Sequence, residues 1–115
     1  LELEFQRVPA DYAYWSEKYA DAKKEYLLSK AGRTTVYARV RLETREALTM
    51  QGERVTEARL DSEVEISDEY IAARRAEVLN EVEMVRLHGF LEALRTKREM
   101  LISIGAHVRQ EMKTI

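Results

Sequence analysis

Cysteine is absent from this 115-residue chain, which excludes disulfides and thiolate metal sites and agrees with a reducing compartment. Proline occurs once, at Pro9, and glycine four times, so little interrupts a helix once it has begun. No apolar run reaches membrane-spanning length and no signal-peptide pattern opens the sequence, so a cytoplasmic protein with no membrane partner is expected. Histidine is scarce: His88 and His107 lie 19 residues apart, and neither belongs to a ligand pattern. None of the HExxH, CxxC, GxxxxGKS/T or GxSxG motifs occurs. Carboxylates at helical spacing, Glu77 with Glu81 and Asp61 with Glu65, read as solvated faces in so acidic a chain. No catalytic residue, metal site or cofactor is expected, and the chain is not read as an enzyme.

What is present is charge and helical periodicity. Charged residues make up 35% of the chain and apolar residues 45%, a balance typical of helical, often oligomeric proteins. Residues 1–115 are read as one helical domain with a modest core. Its organising stretch is 68–112, about 45 residues without a proline. There Leu87, Leu91, Leu94, Leu101, Val108 and Met112 trace one stripe, widened by Phe90, Met100 and Ile104. Ser67 and Asp68 stand where an N-cap belongs, and Asp68 and Glu69 place negative charge at the positive end of the helix dipole. A helix of this length reaches roughly 65 Å, whereas a compact domain of this size is about 26 Å across. Gly89 and Gly105 are places where it can bend. The excess apolar surface points instead to another subunit, with Leu87, Leu91, Leu94, Leu101, Ile104 and Val108 as oligomerisation residues.

Upstream, residues 11–50 form a basic and aromatic helical region that opens after Pro9, with Asp11 as cap. Tyr12, Trp15, Tyr19, Ala22 and Tyr26 recur at alternating spacings of three and four, one seam of a helix. Continued past Gly32, the register reaches Val36, Val40 and Ala47. It also sets Arg33 on the seam, which argues for a local break over Lys30–Arg33. A rival signal lies between Thr34 and Glu43, where Val36, Ala38, Val40 and Leu42 alternate at the period of a strand. Thr56 to Ile66 alternates too, leaving open a β-hairpin turning at Gln51–Gly52. In the helical account Thr56 caps a short helix over 56–66, with Leu60 and Val64 four apart.

Charge is unevenly distributed. Residues 18–45 hold eight basic and three acidic side chains, and residues 46–92 hold five basic and twelve acidic. Within the basic segment, lysines interleave with Tyr12, Tyr14, Trp15, Tyr19 and Tyr26. At about 100° per residue, Lys23 and Lys30 share one flank of the aromatic seam, and Arg41 and Arg45 continue it if the helix persists. Single-stranded nucleic acid is bound by such combinations, phosphates on the cations and bases on the rings. The alternative is a seam of core aromatics with lysines snorkelling from its edges.

The string YAYWSEKYADAKKEYL resembles the first helix of the UvsY-type recombination mediators of tailed bacteriophages, through Tyr12, Trp15, Lys18, Lys23, Lys24, Glu25 and Leu27. Arg39-Val40-Arg41-Leu42-Glu43 is similar to the family's basic-x-basic-Leu-acidic run, allowing one extra residue near Gly32. The ending KREMLISIGAHVRQEM resembles the corresponding segment in pattern. The chain departs from the family in the middle, where its connection over 46–66 is shorter and more acidic. The resemblance implies an all-α, hairpin-like protomer whose long C-terminal helix assembles a homo-oligomer, a ring in this family. It implies binding to single-stranded DNA in the bacterial host cytoplasm, and loading of a recombinase in place of a single-strand-binding protein, without cofactor or catalytic site. Lys23, Lys24, Lys30, Arg39, Arg41 and Arg45 are then the candidate DNA contacts. A phage-type helical structural or adaptor protein with no nucleic-acid role is the other reading.

Overall fold

The structure, a computed structural model, describes residues 2–114, and side chains over 7–113. The described residues are all-α and hairpin-like, with three helices and no strand: α1 (Glu2–Met50), α2 (Glu57–Glu65) and α3 (Asp68–Thr114). None of these helices is long and apolar enough to cross a membrane. The β-hairpin alternative over 34–66 is therefore overturned. Its alternating pattern belongs to a helix whose branched residues Val36 and Val40 face inward, four apart on one side.

Two further expectations are corrected. α1 does not begin at Asp11; helical geometry extends back to Glu2 with Pro9 inside it. Nor does α1 break over Lys30–Arg33. It continues because Arg33, although on the seam, meets Glu77 of α3, to which its Nε donates a hydrogen bond.

The helix ends follow their sequence signals. α1 stops in a Schellman motif: Gly52 adopts φ 71°, its N–H bonds Thr49 O at 3.1 Å, and Glu53 N–H bonds Leu48 O at 3.0 Å. Glycine suits this left-handed C′ position because it has no Cβ to clash. Thr56 caps α2, its hydroxyl accepting from Arg59 N at 3.2 Å. Ser67 caps α3, accepting from Tyr70 N at 3.3 Å, and α3 remains helical through Gly89 and Gly105.

The chain divides into two compact units, residues 1–22 with 83–115 and residues 23–82; α1 and α3 contribute to both. In the first, α1 and α3 pair antiparallel. Val8, Leu91 and Leu101 are buried, with Leu87 and Leu94 half-buried on the same stripe. Trp15 lies against Phe90 with ring centroids 4.7 Å apart, and Tyr19 lies 5.6 Å from His88. These are coiled-coil spacings, in which residues three and four apart fill one seam.

The second unit packs α1, α2 and the start of α3. Val40 and Leu48 of α1 are buried with Leu60 and Val64 of α2. Both α2 residues are fully enclosed, which contributes roughly 1.5–3 kcal/mol each. The α1–α3 seam here is polar where the first unit's is apolar. Ser29, Arg33, Glu77 and Asn80 occupy its positions, and Asn80 Nδ2 donates to Glu25 O at 3.4 Å. Glu77 is not the solvated residue its spacing implied. Its side chain is 4% exposed and is shared between Arg33 and Arg74, the latter at 3.0 Å.

Removing one member of a buried ion pair costs ~3–5 kcal/mol, whereas replacing both by apolar residues is often neutral. Arg33→Met should therefore destabilise toward the lower end of that range, because Arg74 still reaches Glu77. Arg33→Met with Glu77→Leu should recover most of the loss. Chemical denaturation of the unmodified protein and the two variants checks this; equal losses in the single and the double variant would contradict it.

Candidate nucleic-acid interface

The six cations assigned to DNA fall into two chemically distinct sets. All lie on α1, in the second unit. Lys23, Lys24 and Lys30 are exposed, and among the described residues none of their ammonium groups makes an ion pair or a hydrogen bond; only the Lys30 carbonyl is engaged by a side chain, accepting from the Thr34 hydroxyl at 3.1 Å. Nothing about the helix holds them inward. They lie beside the seam positions Ala22, Tyr26 and Ser29, which are half-buried, and their stems lead the ammonium groups into water.

Arg39, Arg41 and Arg45 are instead engaged within the protein. On a helix, residues two apart diverge by about 160°, and Arg39 and Arg41 do reach different elements. Arg39 pairs with Glu69 of α3 and with Glu43 one turn away at 3.1 Å. Arg41 turns to α2, where it pairs with Glu57 and sets Nε 3.2 Å from Asp61 Oδ1. Arg45 reaches the same Glu57 at 3.3 Å. The hydrogen bond that Arg39 donates to Glu69, followed by the one it donates to Glu43, raises its pKa further above its ordinary value, so its charge is permanent.

Sequence reading missed the acidic half of this arrangement. Asp61, assigned to a solvated face, is half-buried and accepts a 2.5 Å hydrogen bond from the Tyr37 hydroxyl. That bond, then the one from Arg41, holds the Asp61 carboxyl below its usual value of 3.8. The same contact raises the Tyr37 hydroxyl above 10.0. Tyr37 in turn lies edge-on to Tyr70 at 5.7 Å, so one tyrosine ties α1 to both α2 and α3. The available signal was the acidic content of residues 53–69 beside an unusually basic stretch of α1; which acid met which base needed the α2 placement.

The six oligomerisation candidates also divide. Leu91 and Leu101 are buried against the chain's own first unit, and Leu87 and Leu94 are half-buried there. Ile104 and Val108 remain exposed, at 45% and 41%, as do Phe90, Met100 and Met112. Four of the six thus fill an intrachain seam, and the apolar surface open to another subunit lies at Ile104, Val108 and their exposed neighbours.

Among the described residues no group of three or more histidine and acidic side chains is placed to hold a metal ion. Comparison with known proteins finds no match: no family model, no curated protein and no solved structure corresponds to this chain.

The pKa displacements fix a pH dependence. A carboxylate with a lowered folded-state pKa contributes stability above its unfolded value, and that contribution is lost as pH falls through the folded one. The Asp61 contribution should be complete above its unfolded value, about pH 4, and be lost as pH falls through its lower folded value, while the Tyr37 contribution should be complete below about pH 10 and fade as pH rises through its raised folded value. Asp61→Asn should flatten the acid limb of a plot of melting temperature against pH. An acid limb of the same slope in that variant would show that Asp61 does not carry it.

Proposed function

We propose that this protein is a single-stranded-DNA-binding recombination mediator that acts as a homo-oligomer, helping a recombinase replace a single-strand-binding protein. The observation that carries the reading is the exposed, carboxylate-free set of Lys23, Lys24 and Lys30 on one helix, in a segment where Arg33, Arg39, Arg41 and Arg45 are all ion-paired. Phosphate binding needs cations that are not already neutralised, and these three lysines meet that condition. The DNA-contacting set is accordingly narrower than the sequence implied, and Arg39, Arg41 and Arg45 serve to hold α2 and α3.

Three lysines make a weak site. Each phosphate contact on a single strand adds about 0.7 to the salt slope, so one protomer reaches only about 2. Repeating the patch in an oligomer multiplies affinity without any new contact. The exposed Ile104, Val108 and Met112 supply apolar surface for such an assembly. The resemblance to the UvsY-type mediators, carried by Tyr12, Trp15, Lys18, Lys23, Lys24, Glu25 and Leu27, supports the functional class and a site of action in the bacterial host cytoplasm.

A second reading has its own support. Neutralisation of Arg39, Arg41 and Arg45 by Glu43, Glu57, Asp61 and Glu69 removes half of the cations assigned to DNA. That favours a helical structural or adaptor protein with no nucleic-acid role.

Titration of labelled single- and double-stranded oligonucleotides at two salt concentrations separates the two readings. Preferential, salt-sensitive binding of the single strand is expected. Replacing Lys23, Lys24 and Lys30 by alanine should abolish most of it with little change in melting temperature. No binding by the unmodified protein at low salt would leave the adaptor reading. Light scattering should give a mass above that of the monomer at micromolar concentration, and Ile104→Asp with Val108→Asp should reduce it, since burying an unpaired charge in an apolar contact is strongly unfavourable.

A further inference from the structure

Arg98 occupies a seam position on α3, within the first unit. Leu94 and Leu101, four residues before it and three after, are half-buried and buried on the same stripe. The other seam arginine, Arg33, is neutralised by a carboxylate. Arg98 has no such partner: among the described residues no ion pair or hydrogen bond involves it, and it is exposed. Asp11, one residue before Tyr12 on α1, is paired with Arg7 at 3.8 Å.

What surrounds Arg98 is apolar and aromatic. A cleft of about 300 Å³ is lined by Pro9, Tyr12 and Arg98, and a narrower one of about 70 Å³ by Val8, Pro9, Arg98, Leu101 and Ile102. Among the described residues, no carboxylate lines either cleft. Tyr12 is 38% exposed, so part of its side chain is open to solvent. A free guanidinium, a phenol ring and a pyrrolidine ring therefore converge on one small cleft.

We propose that this cleft is a nucleotide subsite for single-stranded DNA. Arg98 holds a backbone phosphate, and Tyr12, backed by Pro9, takes the adjoining base by stacking. The inference rests on the DNA-binding reading above and adds to it a place where base and phosphate are bound together. The chemistry matches the two halves of a nucleotide. A guanidinium offers two parallel N–H donors to a phosphate, and every base has a π-face for an aromatic side chain. The cleft is at the small end of the range for ligand sites, enough for one base. A base in a duplex is stacked on both faces and presents only its edges, so a stacking site of this kind selects the single strand.

The test compares a labelled oligo-dT with an abasic oligonucleotide of equal length, bound to the full chain at two salt concentrations. The unmodified protein should bind oligo-dT more tightly than the abasic strand. Tyr12→Ala should weaken oligo-dT binding about tenfold, within the span of base–aromatic stacking, and leave the abasic strand unaffected; Tyr12→Phe should retain both affinities. Arg98→Gln should weaken both strands and flatten the salt dependence by about 0.7 at an unchanged melting temperature. If the Lys23, Lys24 and Lys30 variant loses DNA while Arg98→Gln keeps its affinity and slope, the subsite is refuted and the DNA-binding reading stands. If the unmodified protein binds neither strand, both fall. An Arg98→Gln variant with altered mass and unaltered DNA affinity would make the cleft a subunit contact and overturn the proposal.

Discussion

A charged group on the inward seam of a helix has to be neutralised where it lies, because burial penalises an uncompensated charge by several kcal/mol. Arg33 poses that problem to this chain, and Glu77 answers it from the facing helix. The pair lets α1 pass without a break through a region where its own periodicity turns polar. It also specifies which turn of α3 can lie opposite: a slip of one heptad would bring Tyr70 or Met84 to Arg33 and leave Glu77 buried without its principal partner. Apolar seams tolerate such slips better, since one leucine packs much like another, and a single polar pair is the usual device for fixing register.

The same logic extends outward along α1. Arg41 and Arg45 share Glu57 of α2, Arg41 also reaches Asp61, and Arg39 reaches Glu69 in the first turn of α3. The basic and acidic segments of the sequence are thus largely solutions to each other, and the short α2 is held by charge at its rim and by Leu60 and Val64 beneath. Exposed pairs of this sort contribute little individually. Their consequence is geometric: they orient α2 and remove three cations from the pool that any polyanion would meet.

What is left over then carries the functional reading. Lys23, Lys24 and Lys30 lie N-terminal to the α2 packing site and escape neutralisation. Arg98 escapes for a different reason, since among the described residues of α1 it is Pro9 and Tyr12, and no acid, that line its cleft. Residual, uncompensated charge is a more selective indicator of ligand binding than total charge, because a folded chain first satisfies itself.

Much of the architecture was legible in the sequence. The stop at Gly52, the caps at Thr56 and Ser67, and the long helix from Asp68 all rest on local chemistry: a left-handed turn that favours glycine, hydroxyls that accept from orphan N–H groups, and an absence of breakers. The 3-4 spacing likewise placed Trp15, Tyr19, Ala22 and Tyr26 on the inward face of α1, although Tyr12 on the same seam is exposed and it is Leu48, in place of Ala47, that is buried further along. The sequence left three matters undecided. It did not say whether residues 34–66 are helical or a β-hairpin, whether Arg33 ends a helix or pairs across a seam, nor which of its many cations would remain free. Glu77, Asp61 and Glu69 lie 44, 20 and 30 residues from the arginines they neutralise. Periodicity ranks residues by face; only the packing of one helix on another brings a given acid to a given base. That is why the stop at Gly52 and the caps of α2 and α3 were determined by the sequence alone, while the division between structural and available charge was decided by the tertiary structure.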